Sequence, residues 1–213
     1  MEDDFEYGPA EDPKFSVARY EEMIRNKDQY FFDTQAFEGI IDYYMDKNDP
    51  IKALQVVEYA VSQHPFVAVF YLKQAQLFAV THQFSQALES LEKAETLEPS
   101  EGDIYLIKGG ILGNLDRYDE ALNSLEKALE LAENPDEVYL QMALLHQNKG
   151  DYERAVHYLK ASLKQNMENQ DALYELAFCY DVLDRQEESI GFYKQYIDND
   201  PYSCAAWYNL GNA

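Results

Sequence analysis

Apolar and small residues return along this chain every 34 positions. Ala53, Ala87, Ala121, Ala155 and Ser189 stand in one register, and each is followed by an apolar residue: Leu54, Leu88, Leu122, Val156 and Ile190. Three residues later come Val57, Leu91, Leu125, Leu159 and Tyr193, then Ala60, Ala94, Ala128, Ser162 and Tyr196. Steps of three and four residues put these positions on one stripe of a helix. A second helix precedes it in every repeat. Its stripe carries Phe37, Tyr71, Tyr105, Tyr139 and Leu173, then Ile41, Ala75, Gly109, Ala143 and Ala177, then Tyr44, Phe78, Leu112, His146 and Tyr180. Small residues midway along both helices let two backbones approach closely, and the large residues around them fill the remaining space.

The turns offer an independent check. Asn48, His82, Asp116, Gly150 and Asp184 share one register between the paired helices. These residue types tolerate positive φ, so a tight turn with one left-handed residue is expected. Pro65, Pro99 and Pro201 mark repeat ends, Pro135 is displaced, and Met167 stands where another proline would fall. Asp49-Pro50 reads as an N-cap followed by proline in the first turn. Asp12-Pro13 begins a leading helix to about Asn26, with Val17, Tyr20 and Ile24 on one face. The pattern predicts twelve helices and no sheet: one leading, ten in five pairs, and one at the end. Gln74 and Lys108 depart from it by standing where an apolar residue is expected, and Ile41 by its size.

Composition narrows the function. The chain has 213 residues, 40 acids, 17 Lys and Arg, and a formal net charge of -23. Six acids fall within the first twelve residues, which read as a flexible acidic leader. Such a chain repels phosphate backbones and anionic lipid, so nucleic acid and membrane are not expected partners. Cys179 and Cys204 have no metal-type spacing, and the N-terminus lacks a basic start followed by an apolar run. These features point to a cytoplasmic protein. No catalytic phosphate, nucleophile or metal motif is present, and Gly109-Gly110-x-x-Gly113 lies inside a predicted helix without the Lys-Ser/Thr of a phosphate loop. His64, His82, His146 and His157 occupy unrelated registers. No enzyme activity, cofactor or metal is expected.

A 34-residue helix–turn–helix with these positions resembles the tetratricopeptide repeat, most closely in Leu106-Ile107-Lys108-Gly109-Gly110, Arg117-Tyr118-Asp119-Glu120-Ala121-Leu122 and Ala206-Trp207-Tyr208-Asn209-Leu210-Gly211-Asn212-Ala213. The resemblance covers residues 34 to 213. It implies an all-α fold: a right-handed α-α superhelix, a solenoid of antiparallel helix pairs. The organisation expected is a leader over 1–12, a leading helix or cap over 13–33, five repeats (34–67, 68–101, 102–135, 136–169 and 170–203), and the first helix of a sixth over 204–213. Because half a repeat cannot bury its own apolar face, the natural protein is expected to continue, and the uncapped last helix offers a route to self-association.

In the family this chain resembles, the first helix of each repeat lines a concave groove. Register then selects Glu38, Asp42, Leu72, Gln76, Leu106, Gly110, Gly113, Leu140, Leu144, Tyr174, Phe178 and Tyr208 as partner-binding residues. The groove candidates include no Lys or Arg, so the family's clamp for C-terminal carboxylates is not expected. The partner anticipated is a protein or peptide, basic or neutral, with apolar anchors. Leu72, Leu106, Leu140, Tyr174 and Tyr208 would form an apolar stripe, whose alternative role is to pack adjacent helices. Gly110 and Gly113 would leave a hollow for one bulky side chain, surrounded by Leu72, Gln76, Leu106, Leu140 and Leu144. The function expected is a non-catalytic interaction scaffold. The alternative is a regulatory or targeting arm of a larger polypeptide whose effector lies beyond Ala213.

Overall fold

The computed structural model describes residues 13–212, so the acidic leader over 1–12 lies outside the described residues. Among these residues there are twelve helices and no strand. The chain divides into two compact bodies, Met1–Pro99 and Ser100–Ala213. The first holds α1 (Pro13–Asn26), α2 (Thr34–Asp46), α3 (Pro50–Gln63), α4 (Ala68–Val80) and α5 (Phe84–Leu97). The second holds α6 (Gly102–Asn114), α7 (Tyr118–Leu131), α8 (Asp136–Asn148), α9 (Tyr152–Gln165), α10 (Gln170–Val182), α11 (Gln186–Asn199) and α12 (Cys204–Asn212).

Helices pair as α2/α3, α4/α5, α6/α7, α8/α9 and α10/α11. The small residues of the repeat form the pairing seams: Ala53, Ala87, Ala121, Ala155 and Ser189 are fully buried, as are Ala75, Ala143 and Ala177. The α6/α7 seam is the tightest. A Cβ built on Gly109 would stand 2.6 Å from both Cγ and Cδ2 of Leu125, so this glycine is required by close approach. Gln74 stays polar in its seam because its Oε1 accepts the hydroxyl of buried Ser90 at 3.0 Å.

The five turns share one geometry. Asn48, His82, Asp116, Gly150 and Asp184 all have positive φ, between 55° and 75°. In the first turn the Asn48 N–H donates to Met45 O (2.8 Å) and the Asp49 N–H to Tyr44 O (2.9 Å). This pair of bonds is a Schellman motif, and it recurs at the other four turns, as in Arg117 N–H to Leu112 O at 2.9 Å. Asp49 also accepts the Lys52 N–H in its side chain, with Pro50 opening α3.

The leading helix packs differently from expectation. Val17 and Tyr20 are buried, but Met23 completes the face and Ile24 is 45% exposed. Met23 lies three residues beyond Tyr20, where its Sδ accepts the Tyr30 N–H at 3.2 Å and its side chain joins the core of α2 and α3. The connecting segment is tied down by Gln63, whose Nε2 donates to Tyr30 O and whose Oε1 accepts the Phe32 N–H.

Two glycines test the turn and seam arguments. Gly150 has φ +75° and open space around its Cβ position, so Gly150→Ala is expected to destabilise by about 1–2 kcal/mol through the left-handed backbone alone. Helical Gly191 also faces open space, and Gly191→Ala is expected to stabilise by up to about 1 kcal/mol. Gly109→Ala is expected to cost about 1–3 kcal/mol because Leu125 is buried and must move. Denaturant midpoints of the three variants check all three signs.

Candidate protein-binding surface

The residues selected by register lie on the first helices of the repeats. In the first body Glu38 is half-buried and Asp42 exposed on α2, and on α4 Leu72 is half-buried and Gln76 exposed. Asp42 is not free: Lys73 of α4 donates to its Oδ1 at 2.6 Å. The expected surface without bases therefore contains a lysine here, one position beyond the stripe residue Leu72. Because this ion pair is partly exposed, its contribution to stability is small. Its consequence is electrostatic: it cancels a charge that a partner would otherwise meet.

In the second body the apolar stripe is interrupted. Leu140 is only 3% exposed and packs with Ala143, Ala172 and Leu176, so it is a core residue of the α8–α9–α10 stack. Leu106 and Tyr174 are half-buried, and Tyr208 is 73% exposed. The Tyr174 ring meets Tyr193 and Tyr196 edge-on, and its hydroxyl accepts Asn209 Nδ2 at 3.0 Å. Phe178 remains on the surface beside Tyr152.

A hollow of about 290 Å³ opens between α6 and α8. Its lining contains Gly110, Gly113 and Leu144, together with Asn114, Gln141 and Asn148. Leu106 and Leu140, expected around it, do not line it. Gly113 is buried against α8, where a Cβ would stand 3.2 Å from Leu145 Cδ1, so its role includes packing. Gly110 is different: a Cβ there would meet only Gln141 Oε1, at 3.4 Å. An apolar wall with three carboxamides can take one side chain while pairing the backbone of the segment that carries it.

Sequence reasoning missed the position after the stripe residue. Lys73, Glu175 and Asn209 each bond to the preceding first helix: to Asp42, to Gln147 (whose Nε2 donates to Glu175 Oε2 at 2.9 Å) and to Tyr174. Gln141 faces Gly110 from the same register. The available signal was their polar character in otherwise apolar helices. Burial raises the Glu175 carboxyl above the usual range, with the Gln147 bond opposing. Burial also pushes the Cys179 thiol up to about 11, making it inert. His146 is buried against Tyr158, and burial lowers its pKa. Among the described residues no cluster of His, Cys, Asp and Glu could hold a metal ion, and no helix is long and apolar enough to cross a membrane.

Glu175 yields a pH prediction. Its folded pKa lies above the unfolded value, so the folded state favours the neutral acid, and that contribution is lost as pH rises through the folded pKa. Glu175→Gln is therefore expected to raise the melting temperature at pH 7. The gain should vanish below about pH 4, where both folded and unfolded carboxyls are protonated.

Known proteins resemble this chain at the level of the repeat. A family profile described as "Tetratricopeptide repeat" matches residues 72–138, and one described as "Anaphase-promoting complex, cyclosome, subunit 3" matches 114–196. No curated protein sequence matches. Among solved structures, that of the APC/C hetero-tetramer Cut9-Hcn1 superposes with a TM-score of 0.77 at 14% identity, over 93% of this chain and 39% of that one. The type IV pilus biogenesis factor PilW gives 0.72 at 24% identity, over 82% and 84%. YrrB, described as a TPR protein with an unusual peptide-binding site, gives 0.57 at 22% identity, over 94% and 98%.

Proposed function

Because this chain is a tetratricopeptide repeat protein, a fold whose stacked helix pairs serve as scaffolds for protein–protein contact, we propose that it is a non-catalytic scaffold holding a partner peptide or helix against its first helices. The observation that carries this reading is the hollow between α6 and α8. It is formed by glycines that a helix would otherwise avoid, at up to about 1 kcal/mol each relative to alanine. Gly109 is explained by the Leu125 contact, whereas Gly110 meets no neighbour that would exclude a side chain. A hollow with Leu144 and Leu145 in its wall suits one bulky apolar side chain of a partner, and Asn114, Gln141 and Asn148 suit its flanking backbone. The description of YrrB as carrying a peptide-binding site agrees with this use of the fold.

The partner's flanks are basic or neutral. Acids outnumber bases 40 to 17, and the register of exposed Asp103, Glu137 and Asp171 carries no Lys or Arg in any repeat. The Asp42–Lys73 pair makes the charge preference weaker in the first body than in the second. The thiols, Cys179 buried and Cys204 exposed, suit a reducing compartment such as the cytoplasm.

Gly110→Leu tests the reading. The leucine fills the hollow, so the variant is expected to melt at or slightly above the parent temperature while losing capture of the partner obtained by affinity purification and mass identification. A stable Gly110→Leu protein that retains full partner affinity would refute the hollow as the binding site.

A further inference from the structure

The turn after α7 differs from its counterparts. Four second helices end with a backbone N–H donated to the carbonyl four residues earlier: His64 to Ala60 (2.8 Å), Glu98 to Ala94 (2.8 Å), Asn166 to Ser162 (2.9 Å) and Asp200 to Tyr196 (2.9 Å). At the same register Ala132 is extended, with φ -77° and ψ 129°, and among the described residues it makes no such bond to Ala128. The sequence difference is Pro135. Elsewhere a proline follows the C-cap directly, as Pro65, Pro99 and Pro201 do. Asn166-Met167 keeps the bond without one, so a missing proline is not the cause. Pro135 instead stands at the N-cap of α8 with φ -86°, and a proline disfavours the helical region for the residue before it.

Beside this turn lies a second hollow of about 290 Å³, entirely within the second body. Leu106, Leu131 and Val138 give it an apolar floor, and Ala128 and Ala132 bring the unbonded end of α7 to it. Glu101, Asp103, Glu133 and Glu137 stand around it, and no Lys or Arg lines it. Gly102 keeps it open on one side, since a Cβ there would lie 3.5 Å from Leu131 Cβ and 3.8 Å from Ala128 O. Offsetting the N-terminal dipoles of α6 and α8 does not account for four acids. Those two ends supply about half a positive charge each, which four carboxylates and the half-negative end of α7 exceed several-fold.

We propose that this hollow binds a lysine or arginine side chain of a partner segment. The reading rests on the scaffold function above and names the chemistry of one contact. Leu106, Leu131 and Val138 take the aliphatic stem, and the cationic head sits among the carboxylates of Glu101, Asp103 and Glu133, within reach of the Ala128 carbonyl. Charge alone would accept any cation, so the apolar floor is what selects a long stem carrying its charge at the tip. An anionic side chain is repelled by the same acids.

The experiment uses the whole chain, N-acetyl-lysine methylamide as probe, and its norleucine counterpart, which has the stem without the ammonium. The lysine probe is expected to shift the backbone amide resonances of Gly102, Ala132 and Val138 saturably, with at least about tenfold higher affinity than norleucine, equivalent to 1.4 kcal/mol. Glu101→Gln with Glu133→Gln is expected to reduce the lysine probe to the norleucine level without moving the melting temperature. Equal binding of the two probes overturns the proposal, as do unsaturable shifts spread over the acidic surface or a double variant that binds lysine undiminished. Partner capture that Gly110→Leu abolishes and the double variant leaves intact keeps the scaffold reading and removes this hollow from it. Specific lysine binding without any captured partner does the reverse.

Discussion

Each helix pair depends on one close crossing of two backbones. Four of the five pairs carry a small residue on both helices at the crossing, as Ala75 with Ala87, Gly109 with Ala121 and Ala143 with Ala155. Where the first-helix residue shrinks to glycine, Leu125 moves into the space that a Cβ would occupy. The first pair carries Ile41 in this register, and it is buried with Ala53, Val56 and Val57 in the core of the first body. Large aromatic residues one turn away close the seam, so hydrophobic burial and close packing act at the same positions.

The turn is the second constraint, because the crossing requires the chain to reverse within a few residues. A Schellman motif satisfies the last carbonyls of the first helix and commits one residue to positive φ. Four of the five residues at that position have side chains, so the chain accepts the left-handed conformation at Asn, His and Asp as well as at Gly150. With seams and turns fixed in this way, variation is confined to the outward faces of the first helices and to the turns between repeats. Two hollows of the second body lie there: one beside Gly110, the other beside the turn at Ala132.

Polar residues on the first helices join neighbouring repeats more than they decorate a surface. Lys73, Glu175 and Asn209 each bond to a residue roughly one repeat earlier. These contacts alter what a partner meets, since Asp42 is neutralised and the Tyr174 hydroxyl is occupied. Carboxylates gather beside apolar side chains at Glu101, Asp103 and Glu133.

The sequence by itself determined the twelve helices, the pairing seams and the register of the left-handed turns. Those features arise from interactions within about 34 residues and are repeated, so several copies agree in phase. It also separated Gly109, a seam residue, from Gly110 and Gly113, which it set together beside a hollow; the structure parts those two, because only Gly113 packs closely against Leu145. Tertiary structure decided which stripe residues are surface. Leu140 is buried because Ala172 and Leu176 of the next first helix cover it, whereas Tyr208 is not covered among the described residues. It also decided that Met23 faces inward while Ile24 does not, that Lys73 reaches Asp42, and that α7 ends without its backbone cap. Each of these outcomes depends on what a neighbouring helix or turn places opposite a given residue, and periodicity along one helix carries no information about that neighbour.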